Sequence, residues 1–269
     1  MGASGSGRAA RRRQAGRPEW AVQVLGGFAV SGLDGPVPLP ESTWRLVVLL
    51  ALAQQPMRRS RIAGTLWGDR DEDHAQSSLR STLWRLNQVA PGLVESDGHA
   101  LRLAEDVAVD VAQLEAISRQ LESGDDVDPC AVDPRMCCSD LLPDWYDGFV
   151  DDHRELVRQL RLRTLECLAR RLSEQDDWGA ALRIALIAVG EAPMRESTHQ
   201  LVLEIHIAEG NVSEALRHYR MLKDALWQEL GIQPSARLRA TMAPHVRSDH
   251  TLGQLSSSAS GRRLSGTGA

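Results

Sequence analysis

Hydrophobic residues recur at helical spacing in one arginine-bearing stretch of the chain. In Gln76–Gln88, QSSLRSTLWRLNQ, three leucines fall at i, i+4 and i+7 (Leu79, Leu83 and Leu86), so they form one apolar stripe of an amphipathic helix. At about 100° per residue, the rest of the surface carries Ser77, Arg80, Ser81, Trp84, Arg85 and Gln88. This surface has no carboxylate, whereas exposed helices commonly mix acidic with basic residues. The pattern indicates a helix that presents donors to a polyanion such as DNA.

The residues in front of this helix predict short strands and two more helices. WAVQVLGGFAV alternates around a Gly-Gly break and SGLDGPVPL adds turn residues and a return strand, which predicts a small antiparallel sheet. Arg45–Gln54 is apolar on most sides and predicts a buried helix. Arg61–Trp67 predicts a short helix with Ser60 as its N-cap. The run Asp69–His74, DRDEDH, is expected to be a charged loop.

A hairpin is predicted after the arginine-bearing helix. LVESDGHALRL holds Asp97-Gly98, a two-residue turn signal between alternating strands. Strands, three helices and a hairpin make a winged helix, in which the third helix enters the major groove and the hairpin reaches the adjacent backbone. His99 and Arg102 are the candidate contacts of the wing. For Trp84 two interpretations stay open: it packs on DNA sugar or a thymine methyl, or it covers the hydrophobic core against the wing.

The second half of the chain predicts helices only. Val111, Leu114 and Leu121 indicate a helix at the domain junction, and Asp125–Ser139 is expected to be a loop. Phe149–Leu172 predicts a long amphipathic helix with an apolar face formed by Leu156, Leu160, Leu165, Leu168 and Leu172.

A repeat follows this long helix. Asp177, Ala181 and Leu182 recur 34 residues later as Asn211, Ala215 and Leu216. Thirty-four residues is the tetratricopeptide period, in which a small alanine lets paired helices approach closely. The fold class predicted for the chain is therefore mainly α with a small β component: an N-terminal winged helix (α+β) followed by an all-α, tetratricopeptide-like domain.

Length and composition fit this division. A chain of 269 residues can form two domains. We expect a disordered basic tail over residues 1–18, the winged helix over 19–106, the helical domain over 107–246 and a disordered Ser/Gly-rich tail over 247–269. The longest apolar run, Leu46–Ala53, is far shorter than a membrane span, and no secretory signal is evident, so the cytoplasm is the expected location.

Charge distinguishes the two halves only weakly. Residues 1–104 carry 13 arginines against nine acidic residues, and five of those arginines lie within the first 17 residues. The predicted winged helix is thus nearly neutral, while the acidic rear half disfavours nonspecific coating of DNA by the whole chain.

The sequence offers little for catalysis or metal binding. It has no phosphate-binding GxxxxGK[ST], no GxSxG, HExxH or GxGxxG, and Lys223 is its only lysine. The four cysteines, at positions 130, 137, 138 and 167, lack zinc-ligand spacing and are expected to be reduced thiols. We therefore expect neither enzyme activity nor a metal or cofactor; a small-molecule ligand stays unknown.

Three stretches carry a family resemblance. LVVLLALAQQPMRRSRIAGTLWGD, SSLRSTLWRLNQ and DGHALRLAEDVAVDVAQLE resemble the DNA-binding domain of the SARP-type actinomycete activators, the antibiotic-regulatory proteins with a response-regulator-type winged helix. The region from LLPDWYDGFVDDHRELVRQL onward is similar to the bacterial transcriptional activation domain of that family, and its most specific piece is ALRHYRMLKDALWQELGIQPS.

The resemblance implies a function. It implies an activator that binds direct repeats in double-stranded DNA near a promoter, with two copies arranged head-to-tail, and that recruits RNA polymerase holoenzyme at genes for secondary metabolism. The loop of Asp69, Arg70, Asp71, Glu72 and Asp73 would face the polymerase. Where the family wing usually reads Gly-Tyr-Arg-Leu, this chain has Gly98-His99-Ala100-Leu101, so a phosphate contact is lost unless Arg102 supplies it. Asn87 likewise stands where the family often has arginine, which predicts weaker backbone anchoring.

Two other functions remain compatible with the residues. A repressor with the same fold would use the same helix, and a protein-interaction adaptor would use the helical repeats without binding DNA.

Overall fold

The structure is a computed structural model that describes residues 19–125, 127–129 and 132–246. The predicted tails, residues 1–18 and 247–269, lie outside the described residues, and so does Cys130. The chain forms two compact units. The winged-helix unit comprises residues up to Ala116 together with Ser139–Arg158, and the helical-repeat unit comprises Ile117–Cys138 together with the residues from Gln159 onward. The units are therefore not contiguous in sequence, unlike the single boundary at residue 106 expected above.

The winged-helix unit begins with a small sheet. Strands β1 (Trp20–Gln23), β2 (Ala29–Gly32) and β3 (Gly35–Pro36) form the predicted antiparallel meander. A later strand, β7 (Ala108–Val109), pairs in parallel with β1 and completes the sheet order β3-β2-β1-β7. The alternation in β1 and β2 buries Val22 and Val30, which are paired across the strands.

Three helices follow the meander: α1 (Glu41–Ala53), α2 (Arg59–Leu66) and α3 (Glu72–Val89). Each begins earlier than the sequence pattern suggested, and α2 is preceded by Arg58, so the prediction of Ser60 as its N-cap was wrong. Helix α1 ends at Ala53, and its C-cap residue Gln54 adopts φ 51° just before Gln55 and Pro56. The buried side chains of α1, α2 and α3 share one core, in which Leu46, Ile62 and Leu79 are fully enclosed.

The wing is a three-stranded sheet rather than a lone hairpin. Strands β5 (Val94–Ser96) and β6 (Ala100–Leu103) form the predicted hairpin, and β4 (Met57–Arg58), between α1 and α2, pairs with the other edge of β6. The sheet order β4-β6-β5 ties the wing to the start of α2.

Residues 139–158 pack inside the winged-helix unit. Gly26 N–H donates to Asp140 C=O at 2.7 Å, and Leu142 N–H donates to Val24 C=O at 3.0 Å. The Trp145 ring stacks on Trp44 with centroids 6.5 Å apart, and Arg45 forms an ion pair with Asp147 at 2.7 Å. The segment that precedes the long helix α6 (Gly148–Glu174), together with the first residues of that helix, is therefore part of this unit's core.

The helical-repeat unit contains the end of α4 (Asp110–Ser123), α5 (Pro134–Cys138), most of α6, and then α7 (Trp178–Glu191), α8 (Glu196–Ala208), α9 (Val212–Leu230) and a last helix, α10, over residues 236–246. The predicted loop over 125–139 missed α5. Helix α6 is confirmed, but Leu156, expected on its apolar face, is exposed; Val157 and Leu162 are buried instead.

The 34-residue repeat is confirmed in three dimensions. Asp177 and Asn211 are the N-caps of α7 and α9, and Ala181 and Ala215 are both fully buried. Helix α7 packs against α8, and α8 packs against α9. The small side chains allow this close approach of helices, as the tetratricopeptide-like prediction required.

Candidate nucleic-acid interface

Helix α3, the candidate recognition helix, begins four residues before the predicted start. Asp71 is its N-cap, and the Asp71 carboxylate accepts from the His74 backbone N–H at 2.9 Å. That hydrogen bond, followed by the one to the His74 side chain, lowers the pKa of Asp71. Glu72 and Asp73 were predicted in a loop but form the first turn of α3, where carboxylates are favourable next to the positive end of the helix dipole.

The outer face of α3 is open to solvent as predicted. Ala75, Leu79, Thr82 and Leu86 point into the core, and Leu83 is half-buried. The side chains proposed to contact DNA are all exposed: Ser77, Arg80, Ser81, Trp84, Arg85 and Gln88. Trp84 is 66% exposed, which argues against the interpretation that it covers the core, because such a tryptophan would be mostly buried. Its contact with DNA stays a prediction.

The two arginines of α3 lie toward opposite edges of this face. Arg85 donates to Ser42 Oγ on α1 at 3.3 Å, so it lies on the side of the first helix. Arg80 lies on the wing side, because it shares that side of the helix wheel with Leu83 and Asn87. Leu83 and Asn87 line one side of a cleft of about 190 Å³, and wing residues line its other side. The exposed face is thus flanked by guanidinium groups, with Trp84 near its centre.

The serine hydroxyls of α3 are partly committed within the helix. Ser81 Oγ donates to Ser77 C=O at 3.0 Å, and Ser78 Oγ donates to His74 C=O at 2.9 Å. A hydroxyl whose proton is used in this way presents only acceptor lone pairs to a ligand. Ser81 in this arrangement is suited to accept from a base amino group, and less suited to donate to a phosphate.

The wing turn is centred one residue later than predicted. Asp97 N–H donates to Ala100 C=O at 3.3 Å, so Gly98 and His99 occupy the middle of the turn, with Gly98 at φ 96°. The Asp97 carboxylate accepts from the N–H groups of Ala100 and His99, which lowers its pKa. This side-chain turn holds His99 exposed at the tip of the wing.

The Arg102 guanidinium is already paired with carboxylates, so it is not free to bind a DNA phosphate. It pairs with Glu95, its cross-strand neighbour, at 2.9 Å and with Glu105 at 2.8 Å. Glu105 and Glu95 raise the pKa of the Arg102 guanidinium and occupy its donors. The expectation that Arg102 replaces the missing wing arginine therefore requires that two ion pairs be given up.

Arg59 is a residue of this surface that the sequence reasoning missed. It is the first residue of α2 and lines the cleft between α3 and the wing, where its Nη2 donates to Ser96 Oγ at 3.1 Å. Its Nε is buried without a hydrogen-bond partner among the described residues. The MRRSR run that spans β4 and the start of α2 was the available signal, but only the pairing of β4 with β6 brings it beside the wing.

The loop between α2 and α3 is shorter than predicted. It runs from Trp67 to Asp71, with Asp69 and Arg70 exposed. The side chain of Asp71 is engaged as the cap of α3, and the Arg70 guanidinium lies 3.4 Å from Ser78 Oγ. Of the five predicted polymerase contacts, Asp69 and Arg70 are the exposed loop residues that do not cap a helix.

Other chemistry has no evident site in the part of the chain that the structure describes. No group of three or more His, Cys, Asp or Glu residues there is arranged to hold a metal ion. Burial raises the pKa of the Cys137 thiol to about 12, so that thiol is held in its unreactive protonated form. Within the same residues, no helix is long and apolar enough to cross a membrane.

The described fold is a winged helix followed by stacked helix pairs. Residues 139–244 match the family "Bacterial transcriptional activator domain". The chain is 24% identical over 233 residues to the regulatory protein AfsR of Streptomyces coelicolor; the match covers 81% of this chain and 23% of that protein. These matches support the resemblance to the SARP-type activators.

A solved structure shares the fold. The structure of Mycobacterium tuberculosis EmbR in complex with a low-affinity phosphopeptide matches 86% of this chain and 66% of its own, with a TM-score of 0.67 and 20% identity. The chain thus spans less than a quarter of the length of AfsR and about two thirds of the EmbR chain. At this identity the structural likeness supports the winged-helix and helical-domain architecture.

Proposed function

We propose that this chain is a sequence-specific DNA-binding transcriptional activator that reads the major groove with α3. The observation that carries the proposal is the exposed face of α3: six exposed residues that include two arginines and no carboxylate, on a helix braced by α1 and α2. The family match to an activator domain supports the regulatory role.

The shape of the unit supports the same proposal. The wing lies beside α3 across the cleft that Arg59 lines, so a duplex in contact with α3 would meet the wing at the adjacent backbone. His99 is exposed there, whereas Arg102 is held by carboxylates. We infer that base-edge contacts from α3 contribute more of the specificity, and that the wing contributes little phosphate binding.

The further parts of the proposal come from the family resemblance. Two copies bind direct repeats near a promoter head-to-tail, with the repeats about one helical turn apart so that both lie on one face of the duplex. Asp69 and Arg70 in the α2–α3 loop contact RNA polymerase holoenzyme, and the target is a cluster of secondary-metabolite genes. The proposal implies a cytoplasmic location.

Arg80→Ala tests the DNA-binding part. The wild-type chain is first used to select preferred duplexes from a random pool, and affinity is then measured at several salt concentrations. Loss of one base-contacting arginine weakens binding to the selected duplex by roughly 5- to 150-fold, since such a contact contributes about 1–3 kcal/mol. Arg237→Ala, an exposed arginine of the helical-repeat unit, is the matched control. The proposal would be contradicted if Arg80→Ala and Arg237→Ala bound the selected duplex with the same affinity and the same salt dependence.

Transcription in vitro with purified polymerase separates activator from repressor. The activator raises output from a promoter that carries the selected repeats, and Asp69→Ala with Arg70→Ala lowers that gain while DNA affinity is kept. Output that falls as the wild-type protein is added would establish the repressor. A chain that binds no duplex but retains protein partners through its repeats would establish the adaptor.

A further inference from the structure

Trp84 is a large apolar side chain at the centre of a polar face. It is 66% exposed, and it makes no ring contact or hydrogen bond with any other residue that the structure describes. The neighbours one turn before it are Ser81 and Arg80, and Ser77 lies two turns before it. Because helix side chains lean toward the N-terminus, the indole extends over Ser81, which is too small to cover it. The ring therefore leaves most of its apolar surface open to solvent.

The charges around Trp84 favour DNA over a protein partner. Between Asp73 in the first turn of α3 and Glu95 on the wing, the sequence has no acidic residue, while Arg80 and Arg85 flank the indole. A polyanion is the partner that such a face attracts. An exposed apolar side chain inside a basic polar rim must then contact an apolar part of the nucleic acid.

The major groove offers one such group. Its floor consists of hydrogen-bond donors and acceptors, apart from the 5-methyl group of thymine. We propose that Trp84 determines specificity by packing on the 5-methyl group of a thymine at the centre of each half-site, that is, of each repeat bound by one copy of the chain. This inference rests on the proposed function, in which α3 lies in the major groove, and it assigns one base of the recognised sequence.

Replacement of thymine by deoxyuridine tests the contact, because it removes the methyl group and leaves base pairing unchanged. Each thymine of a duplex selected by the wild-type chain is replaced in turn, and affinity is measured for the wild type and for Trp84→Ala. For the wild type, we expect one thymine per half-site whose replacement weakens binding about fourfold, the cost of returning one methyl-sized group to water. For Trp84→Ala, that replacement should have no effect.

Two matched variants control the comparison. Trp227→Ala removes a tryptophan of similar exposure, 59%, from α9 of the helical-repeat unit, and should keep both the affinity and the methyl dependence of the wild type. Arg80→Ala should weaken binding but keep the methyl dependence. Hydrogen exchange across α3 verifies that each variant is folded, which the exposure of Trp84 and Trp227 leads us to expect.

The outcomes separate this inference from the proposed function. If the wild type selects no preferred duplex, the proposed function fails, and the inference fails with it. If a duplex is selected and Arg80 is required, but no thymine methyl matters or the methyl penalty persists in Trp84→Ala, only the role of Trp84 is overturned. Unchanged DNA affinity of Trp84→Ala with loss of transcription would assign the indole to a protein partner and would overturn the inference as well.

Discussion

At the scale of single residues, the partners of a side chain decide its role. Arg80, Arg85 and Arg102 look alike in sequence, yet Arg80 has no partner among the described residues, Arg85 donates weakly to Ser42, and Arg102 is held by two carboxylates. A guanidinium already paired with carboxylates must break those pairs before it can release counterions from DNA. Hence Arg102 contributes less to DNA binding than its place on the wing suggests.

Replacement of Glu95 and Glu105 by glutamine should free Arg102. The released guanidinium can then contact a phosphate, so we expect tighter binding at low salt and a slope of log affinity against log salt that is steeper by about 0.9. Binding titrations on a random-sequence duplex at four salt concentrations measure the slope. Glu229→Gln, an exposed position on α9, changes net charge without touching the wing and should leave the slope unchanged. Equal slopes for both variants would mean that Arg102 cannot reach the backbone.

At the scale of elements, helix ends carry local stability. Helix α3 begins where the Asp71 carboxylate accepts a backbone N–H, and this position was not recognised in the sequence because the whole run DRDEDH was expected to be a loop. Capping by Asp71 adds a turn that includes Glu72 and Asp73 and shortens the loop in front of it. The start of the candidate recognition helix is thus fixed by one side chain.

Asp71→Ala should loosen the start of α3. Loss of an N-cap costs about 1 kcal/mol, which corresponds to roughly fivefold faster amide hydrogen exchange in the first turns of the helix. Hydrogen exchange with mass spectrometry measures this in peptides that cover residues 72–82. Asp69→Ala, two residues earlier and exposed, is the control and should exchange like the wild type. Equal protection in both variants would show that the cap contributes nothing.

The helix pair α8–α9 contains a buried histidine, His199, in contact with a half-buried one, His218. His199 Nε2 donates to Pro193 C=O at 2.8 Å, so its Nδ1 accepts from His218 Nε2 at 2.9 Å, an arrangement of two neutral imidazoles. Burial lowers the pKa of His199, and burial followed by the charge of His199 lowers the pKa of His218 from 6.5 to about 4. His206 and Arg217 add to the lowering at His218, while Glu196 opposes the lowering at His199.

Acidification should therefore destabilise the helical-repeat unit. Between pH 6.5 and about 4 the unfolded chain binds protons that the folded chain does not, so stability falls as the pH is lowered through this window. The loss is on the order of 1 kcal/mol, because partial exposure of the imidazole reduces the effect. Urea titrations followed by hydrogen exchange in α8 and α9 measure it. His218→Gln, which cannot titrate, should show a flatter pH dependence, whereas His153→Gln, in the winged-helix unit, should behave like the wild type. An unchanged slope in His218→Gln would contradict the assignment.

At the scale of the whole molecule, the family match and the structural units have different boundaries. The match begins at residue 139, but Ser139–Arg158 belongs to the winged-helix unit. Leu142 is fully buried there, Trp145 stacks on Trp44, and the Arg154 guanidinium donates to the carbonyls of Leu141, Leu142 and Trp145. Part of the segment that matches the activator-domain family therefore packs in the core of the winged-helix unit.

Leu142→Ala should destabilise the winged-helix unit. Removal of a fully buried leucine side chain costs about 2–5 kcal/mol. We expect protection from hydrogen exchange to fall in β1 and α1, and DNA affinity to fall with it at temperatures where the unit unfolds. Leu165→Ala is the matched control, since Leu165 is equally buried but lies in the helical-repeat unit. It should reduce protection in the helices around α6 and leave β1 protected. Loss of protection in the same elements for both variants would contradict this division.

Periodic patterns in the sequence predicted the elements well because each buries a single face. The stripe of Leu79 and Leu86 fixed the orientation of α3 and hence the exposure of Arg80 and Trp84, since a helix can turn only one side to the core. The 34-residue spacing likewise located the buried Ala181 and Ala215. The prediction of a winged helix followed by helix pairs rested only on the spacing of hydrophobic residues and on the turn residues between the elements.

Contacts between residues distant in sequence could not be read from local patterns. The pairing of β7 with β1 and of β4 with β6, the insertion of 139–158 into the winged-helix unit, and the carboxylates around Arg102 depend on which segments meet in space. The sequence alone determined which face of α3 is open to a ligand. Only the tertiary structure decided which cations on that surface are free to bind one, because a charge is available only when no nearby opposite charge holds it.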